Sequence, residues 1–528
     1  MRTRLVVTIA ALLTLTATAH AAHVLRVGRF HGKQGQYRSI QAAVDAAKPG
    51  DWILVAPGDW HERADHRKNS GPQPDDAPAG VVIAKPNIHL RGMDRNRVIV
   101  DGTLPGAGKP CSAAPNRQDL GIKGKDGKPL GRNGILVWKA DGVTVDNLTA
   151  CNFQGGAGSA GNEIWFNGGD GSGKIGLGKF TGRYLNATTT YFKDNDTAAG
   201  YGIFSSNADG PGLWDHTYAS NFNDSDYYIG ACQQVCNQVL DHGWAQYSAL
   251  GYSGTNSGGN LVIENSEFDH NKDGFDTNSQ NNDDSPSPQD GACPHNGTSP
   301  ITKTHSCWVF EHNYVHDNNN PNVPAAGAAA AGPTGTGMSI SGGRDNTVMN
   351  NRFFNNGAWG IILVPYPDTE TPPAGQNCQG GQAGPDNACL YDDWGNEIAG
   401  NTFQHNGFFG NDTNGDIAEL TSTPAATNCF HDNKHSDGSP ATTSPSDLQM
   451  SKPKCDGSTA APDSNPDFTA QVLCDSQFIA GTPCPPGSKY PPQTKIVLPP
   501  LPTKKLKTMP NPCAGVPSNP WCPVKRRR

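Results

Sequence analysis

Six short segments of this chain share one sequence register, and their spacing is the strongest constraint on its fold. Successive segments begin 26, 24, 47, 38 and 50 residues apart; the short spacings match one coil of a solenoid, and the longer ones hold polar, Pro-rich or Ala/Gly-rich insertions. An apolar or aromatic residue two places after each start is predicted to point inward, and an Asn or Tyr three places further on to close a turn. A short apolar strand beginning at Gly often follows, so the pattern predicts a parallel β-helix. The segments are 216–221, 242–247, 266–271, 313–318, 351–356 and 401–406.

The composition supports strands and turns rather than helices. The 528 residues include 63 Gly and 42 Pro, only 17% are charged, and the mean hydropathy is -0.57. The net charge of -8 argues against a nucleic-acid partner, because such surfaces need clustered Lys and Arg. The basic run at 525–528 is interpreted as a solvated terminal tail.

The N-terminus has the features of a secretory signal. Arg2 and Arg4 precede an apolar run at 5–15, and Ala19-His-Ala21 has the small residues of a cleavage site. This predicts a signal peptide at 1–21 and a secreted or extracellular protein. The apolar run is too short to cross a membrane, and no later stretch reaches the roughly 20 apolar residues that a spanning helix needs. We therefore expect a soluble monomer without a transmembrane segment.

All 14 cysteines lie beyond position 21. An even number of cysteines in an exported chain favours disulfides over metal ligation or catalysis. Cys232 and Cys236 enclose three residues, without a second pair at zinc-finger spacing, which favours a disulfide there. The connectivity of the rest stays open, but four further near pairs occur: Cys293 with Cys307, Cys378 with Cys389, Cys474 with Cys484, and Cys513 with Cys522.

The segment 37–62 predicts a helix followed by a strand. Apolar residues at 40, 43, 44 and 47 share one helical face, Pro49-Gly50 ends the helix, and 52–56 has the composition of a buried strand. Such a helix would plug the open N-terminal end of a solenoid. Together with 87–92 and 98–102, this segment resembles the opening of pectin-lyase-like right-handed parallel β-helix proteins, such as pectin methylesterases.

The resemblance extends, with insertions, from about Tyr37 to Leu420. It implies an all-β, right-handed parallel β-helix (solenoid) with a short N-terminal capping helix and loop insertions, which we assign to residues 22–430. The repeat fades from about Thr421, so residues 431–528 are interpreted as a disulfide-pinned, Pro-rich C-terminal extension. This scaffold carries lyases, hydrolases, esterases, epimerases and non-catalytic adhesins, so the fold does not choose among them.

Polar side chains on the strand 274–278 suggest a reactive site. A period of two places Asp276 and Asn278 on the outer face, next to Ser339 and Ser341 of the following coil. Paired carboxylates act as general acid and base, or bind Ca²⁺, which neutralises uronates. Alternatively, these Asp and Asn residues only bond the backbone in turns. The candidate catalytic residues are Lys272, Asp273, Asp276 and Arg344; the candidate Ca²⁺ ligands are Asp283 and Asp284; and the candidate substrate-binding residues on these strands are Asn278, Ser339 and Ser341.

Aromatic residues in the insertion after position 364 are candidates for sugar stacking. Tyr366, Tyr391 and Trp394 are predicted to lie in a loop, where exposed rings bind the C–H faces of sugars. Histidines at 216, 242, 270, 312, 316 and 405 are interpreted as turn caps, with proton transfer or metal binding as the alternative. Asparagines at 221, 271, 318, 356 and 406 are predicted to form a hydrogen-bonded ladder.

The sequence thus favours an exported carbohydrate-active protein. Its predicted activity is cleavage of a polysaccharide, preferably a uronate-containing one, by lyase or hydrolase chemistry, with Ca²⁺ as a possible cofactor. The alternative is a non-catalytic, adhesin-like surface protein that binds glycans. A structural envelope protein is a third hypothesis.

Overall fold

The computed structural model describes residues 22–524, except 64–77, 107, 170–176, 233–234, 256, 258, 278–307, 369–381, 384–388, 394, 422–427, 456–465 and 475–483. The predicted signal peptide at 1–21 therefore lies outside the described residues. Within them, parallel strands form a 21-stranded sheet, here called the first sheet, and an 11-stranded sheet, called the second sheet. The predicted all-β parallel β-helix is confirmed by this pairing.

A complete coil contributes two strands to the first sheet and one to the second. The first coils are formed, after Val24–Val27, by Trp52–Val55, Gly58–Trp60 and Ala79–Ile83; His89–Gly92, Val98–Asp101 and Asn133–Trp138; Thr144–Cys151 and Asn162–Asn167; and Phe180–Thr188 and Tyr201–Ser206. The later coils are Gly212–Asp215, Tyr218–Ser220 and Ser225–Gly230; Val235–Asp241, Trp244–Gln246 and Leu250–Ser253; Gly259–Glu264, Glu267–Asp269 and Asp276–Thr277; Trp308–Glu311, Tyr314–His316 and Thr336–Ser341; Thr347–Met349, Arg352–Phe354 and Trp359–Val364; Glu397–Ala399, Thr402–Gln404 and Gly415–Glu419; and Cys429–His431, Lys434–His435 and Thr443–Ser444.

Short elements decorate these coils. Arg29–Phe30 pairs with Lys33–Gln34, and Tyr366–Asp368, Cys389–Tyr391 and Gln382–Ala383 form a small antiparallel sheet. The α-helices are Ile40–Ala46, Leu448–Ser451 and Pro466–Leu473, and short 3₁₀ helices span Pro115–Arg117 and Gly327–Ala331.

The predicted N-terminal capping helix is present. Ser39 accepts a 3.1 Å hydrogen bond from the amide of Ala42, which caps the helix Ile40–Ala46. Ile40 and Val44 are buried in the same core as the interior strand residues. The helix therefore closes the N-terminal end of the apolar interior.

The interior positions of the repeat are as predicted in the last four segments but not in the first two. Phe268, Val315, Phe353 and Phe403 all belong to the central core. The strand register, however, aligns Phe268 with Ala245 and Ala219, so Trp244 and Tyr218 lie one position away from the predicted interior site. In the first two segments the interior position is therefore one residue later than predicted. A one-residue shift exchanges the inward and outward faces of a strand, so Trp244 and Tyr218 face outward.

The predicted asparagine ladder is present in the later coils but does not extend to Asn221 in the first segment. The side-chain oxygens of Asn318, Asn356 and Asn406 each accept from the backbone amide of the corresponding residue one coil earlier, at 3.1–3.2 Å. Ser248, whose amide donates to Asn271 at 3.0 Å, continues the ladder. The prediction for Asn221 is wrong, because its side-chain amide instead donates to the carbonyl of Thr189 at 2.8 Å. A second ladder, not predicted, joins Asn313, Asn351, Asn401 and Asn433.

The C-terminal segment 494–524 runs back along the outside of the first sheet. It contacts Asn322 through Thr494, and Asn147 through Thr508. At its end Trp521 is buried, and its indole donates to the carbonyl of Lys33 at 3.0 Å. This segment, here called the strap, therefore ties the late coils to the N-terminal cap. Parallel pairing itself continues to Thr443–Ser444.

Disulfides join Cys232 to Cys236, Cys474 to Cys484, and Cys513 to Cys522, three of the pairs noted in the sequence. Two further bridges link cysteines that are distant in sequence. These are Cys111–Cys151 and Cys429–Cys455. Cys293, Cys307 and Cys378 lie outside the described residues.

Candidate active site

A cavity of about 720 Å³ opens on the outer face of the second sheet. Its floor comes from six consecutive coils of the second sheet, because parallel, in-register strands stack equivalent side chains about 4.8 Å apart. One wall is the Ala-rich segment 325–333, and another includes Val472 and Leu473 of the last helix. The polar and aromatic lining residues are Asn195, Asp196, Tyr201, Asp224, Ser253, Thr255, Asp276, Ser339, Ser341 and Tyr366.

Asp276 lies at the centre of the floor, stacked between Ser253 and Ser339 of the neighbouring coils. Its carboxylate accepts hydrogen bonds from the hydroxyls of Ser339 and Ser341, at 2.5 and 3.0 Å. Phe275, the residue before it, is buried in the core. The alternation expected for 274–278 therefore brings Asp276, Ser339 and Ser341 together on the outer face.

Asp273 lies behind Asp276 and is fully buried. The Ser339 hydroxyl is 3.1 Å from Asp273 and also donates to Asp276, but a hydroxyl has one proton to give. Burial, followed by the charge of Asp276, raises the pKa of Asp273 well above its usual value. Both carboxyl groups are satisfied when Asp273 is protonated and donates to Ser339, which in turn donates to Asp276.

Lys272 and Asp273 hold the Ala-rich wall in place. The Lys272 ammonium donates to the carbonyls of Ala330 and Gly332. A methyl group added at Gly332 would lie 3.1 Å from the Asp273 side chain, so the wall packs directly on this carboxyl. Both residues are buried and neither lines the cavity among the described residues, so contact with a ligand falls to Asp276 rather than to them.

Asp224 and Tyr201 form a second polar group in the same cavity. The Tyr201 hydroxyl donates to Asp224 at 3.0 Å. Burial raises the pKa of Asp224 to about 7, and the charge of Asp276 acts in the same direction. Asp224 therefore stays mostly protonated in weakly acidic solution and loses its proton as the pH rises through about 7.

Sequence reasoning missed both residues, because Asp224 lies in a turn-like run of Asn and Asp, and Tyr201 begins an ordinary strand. The available signal was the register: Tyr201 pairs with Ser225, directly after Asp224.

The remaining predicted residues are dispersed. Tyr366 lines the cavity and is half-buried, whereas Tyr391 is fully buried and offers no face to a sugar. Arg344 is buried beneath Tyr391, with its guanidinium 6.0 Å from that ring, and is not part of the described lining. Asn278, Asp283, Asp284 and Trp394 lie outside the described residues.

An aromatic cluster extends from Tyr201 along the outer face of the second sheet. The Tyr201 ring stacks on Phe204 with centroids 4.6 Å apart, and Phe204 stacks on Trp165 at 5.2 Å. Tyr228 contacts Phe204 edge-on at 4.6 Å. Tyr201 and Phe204 are half-buried, so part of the cluster remains accessible next to the carboxyl groups.

The charge of the cavity is acidic. Its ionisable lining residues among the described positions are Asp196, Asp224, Asp276, Tyr201 and Tyr366, and the described lining contains no Lys, Arg or His. An anionic ligand would therefore meet like charge unless a cation accompanied it.

The chain resembles several solved structures of sugar-polymer enzymes. An A-module of the mannuronan C-5 epimerase AlgE6 of Azotobacter vinelandii is 15% identical, with a TM-score of 0.44, covering 76% of this chain and 92% of that one. An alginate lyase from Paenibacillus sp. is 11% identical, with a TM-score of 0.36 and coverages of 79% and 97%. Pectate lyase Pel9A is 12% identical, with a TM-score of 0.35 and 96% of each chain covered.

The strand pairing itself shows a parallel β-helix. No protein-family model matches the sequence, and no curated protein matches it either. In the described part of the β-helix, we find no helix with the length and apolar character needed to span a membrane.

Proposed function

We propose that this protein is an exported enzyme that cleaves a polysaccharide in the cavity of the second sheet. The observation that carries the proposal is the pair of carboxyl groups, Asp224 and Asp276, which line one cavity, with the charge of Asp276 contributing to the raised pKa of Asp224. Two carboxyl groups with different environments are the usual equipment for glycoside hydrolysis.

The environments suggest the role of each carboxyl group. Asp224, with a pKa of about 7, is suited to protonate the glycosidic oxygen as the C–O bond breaks. Burial raises the pKa of Asp276, and the hydrogen bonds from Ser339 and Ser341 oppose this shift by stabilising the anion. We assign Asp276 the role of base or nucleophile because these two hydroxyls hold its carboxylate in the floor of the cavity. Tyr201 orients Asp224 through its hydroxyl. Water supplies the hydroxyl group of the new reducing end, and its proton replaces the one lost from Asp224.

The acidic lining favours a neutral polysaccharide over a uronate polymer. Lyase chemistry on a uronate requires that its carboxylate be neutralised, and the described lining offers no basic side chain for that. The uronate substrate favoured by the sequence would need Ca²⁺, for which Asp283 and Asp284 remain the proposed ligands. Half-exposed Tyr201, Phe204 and Tyr366 would stack on sugar rings in either case.

The test is incubation of the purified protein with neutral and uronate polysaccharides, in Ca²⁺ or in chelator. New reducing ends without ultraviolet absorbance identify a hydrolase, and absorbance of an unsaturated uronate identifies a lyase. We expect Asp224→Asn and Asp276→Asn each to lower the rate about 10²–10⁴-fold. Asp196→Asn, an exposed lining residue, is the matched control and should retain the rate.

Glycan binding without any product would contradict cleavage and support the non-catalytic alternative. Full activity in both Asp variants would remove the assignment of these two carboxyl groups, whatever the substrate.

A further inference from the structure

The floor of the cavity belongs to a longer column of aligned residues, one from each coil of the second sheet. In order along the solenoid, the column contains Phe204, Tyr228, Ser253, Asp276, Ser339 and Ile362. It is aromatic before the cavity, polar beneath it and aliphatic at its C-terminal end. Since aligned side chains of adjacent coils are about 4.8 Å apart, this floor column forms a track parallel to the solenoid axis.

A helix blocks the C-terminal end of the floor column. Val472, on the helix Pro466–Leu473, packs against an apolar cluster that contains Ile362 and Ala418. Ile362, at the end of the cavity, and Ala418, aligned with it in the next coil, are both fully buried. The outer face of the second sheet is therefore covered at both of these coils. A polymer that lies on the polar part of the column cannot continue past Ile362.

The blocking helix is fixed to the β-helix by polar contacts. The side-chain oxygen of buried Gln471 accepts hydrogen bonds from the backbone amide of Thr413, at 3.0 Å, and from the Thr413 hydroxyl. The disulfide Cys474–Cys484 begins at the residue after the helix. Further along, the amide of Lys489 donates to the carbonyl of Phe409, a member of the same apolar cluster, at 3.1 Å. These contacts hold the helix as a fixed wall.

The Ala-rich wall, in contrast, lies beside the floor column rather than across it. Segment 325–333 packs against Leu250, at the start of the strand whose Ser253 lies in the column. At the other end of the track, Tyr201 and Phe204 are half-buried and their rings stack with centroids 4.6 Å apart. A sugar chain can therefore lie along the axis, over these rings and with one end against the helix.

We propose that the enzyme acts from the end of a polysaccharide chain and releases short products, an inference that rests on the cleavage proposed above. The reaction is the hydrolysis already described, and only the position of the cleaved bond is new. Asp276 lies two coils, about 10 Å, from Ile362, which leaves room for roughly two sugar units before the wall. Phe204 lies four coils, about 19 Å, from Ser339, so a chain needs roughly five units to reach from the wall to this ring.

The experiment follows new reducing ends and viscosity together when the full-length protein is incubated with soluble xylan, glucomannan, laminarin or alginate. We expect mono- and disaccharides as the first products, with little loss of viscosity, because each cut shortens a chain only at its end. A rapid loss of viscosity, with long fragments as the first products, would overturn the inference and leave the proposed cleavage standing. No cleavage of any of the four would overturn the proposed function and this inference with it.

A variant of the blocking helix tests whether it is the wall. The double variant Gln471→Ala with Val472→Ala removes the bonds to Thr413 and the apolar contact, so it should lengthen the first products and increase the viscosity lost per bond cleaved. Thr469→Ala, at an exposed position of the same helix, is the matched control and should leave the products unchanged. Far-ultraviolet circular dichroism verifies folding. Identical products from the double variant and the wild type would overturn the role of the helix.

Binding by the Asp276→Asn protein tests the direction of the track. Calorimetric titration uses oligosaccharides of the polysaccharide that the wild type cleaves. Adding Phe204→Ala should weaken binding of the hexasaccharide about three- to tenfold and leave that of the trisaccharide unchanged, because only the longer chain reaches the ring. An equal loss for both lengths, or no loss for either, would overturn the placement of the chain along the floor column.

Discussion

Replacing Asp224 by Asn tests the half-buried carboxyl at the centre of the proposed chemistry without reference to any substrate. The folded protein holds the pKa of this group at about 7, against 3.8 for an unperturbed side chain. The folded state therefore binds the proton more tightly, and this group lowers stability progressively as pH rises from about 4 to about 7. The difference corresponds to at most about 4 kcal/mol above pH 7. Asparagine is neutral at every pH and can still accept from the Tyr201 hydroxyl.

We therefore expect Asp224→Asn to unfold with nearly the wild-type free energy at pH 4 and to exceed the wild type by about 2–4 kcal/mol at pH 8. Urea denaturation at pH 4, 6 and 8, with disulfides intact, measures this difference. Asp196→Asn, at the exposed edge of the same cavity, is the control for a general change in charge. A stability gain of equal size at pH 4 and pH 8 would refute the reasoning, because it would not follow the titration of the Asp224 carboxyl.

Three further changes address the framework. Lys452→Met removes the ion-pair partner of buried Glu419. The free energy of unfolding, measured in urea, should therefore fall by about 3–5 kcal/mol. The double variant Lys452→Met with Glu419→Gln should recover part of this loss, because Gln carries no charge. Asn318→Ala interrupts the first ladder, because it removes the acceptor of the Asn271 backbone amide and the donor to the Phe268 carbonyl. We expect the free energy of unfolding in the same assay to fall by about 2–4 kcal/mol. Trp521→Ala should detach the strap locally at a cost of about 3–5 kcal/mol, seen as faster tryptic cleavage near Lys505 while the circular dichroism of the β-helix is retained.

Local patterns predicted the fold well and the site only in part. The inward positions of Phe268, Val315, Phe353 and Phe403 follow directly from the repeat, and so does the outward position of Asp276. In the first two segments the pattern predicts Tyr218 and Trp244 to face the interior, but the strand register places the interior position one residue later. These rings instead lie on the strap side of the sheet, where Lys505 is 5.3 Å from the Trp244 ring. The contact of Trp244 thus comes from a residue more than 250 positions away in sequence, whereas the Tyr218 hydroxyl donates to Gln246 of the next coil at 3.1 Å.

In the cavity, too, residue type alone does not predict which side chains can contact a ligand. Lys272 and Asp273 have residue types suited to catalysis, yet the Ala-rich segment 325–333 covers them. Lys272 donates to carbonyls of that segment and Asp273 packs against Gly332, so both residues stabilise the cavity wall. Asp224 has no motif, yet burial between the coils raises its pKa, and the charge of Asp276 acts in the same direction. Burial and neighbouring charge are properties of the folded surroundings, which the residue type does not encode.

The sequence by itself determined the class of architecture, because the period of the coils, the alternation of side chains and the capping helix are local properties of the chain. It also determined which side chains could carry chemistry. Only the tertiary structure decided which of them meet, since loop paths, the strap and the register between coils set the distances. Electrostatic interactions and desolvation act through space, so the assignment of Asp224 and Asp276 as a pair came from packing between coils rather than from proximity in sequence.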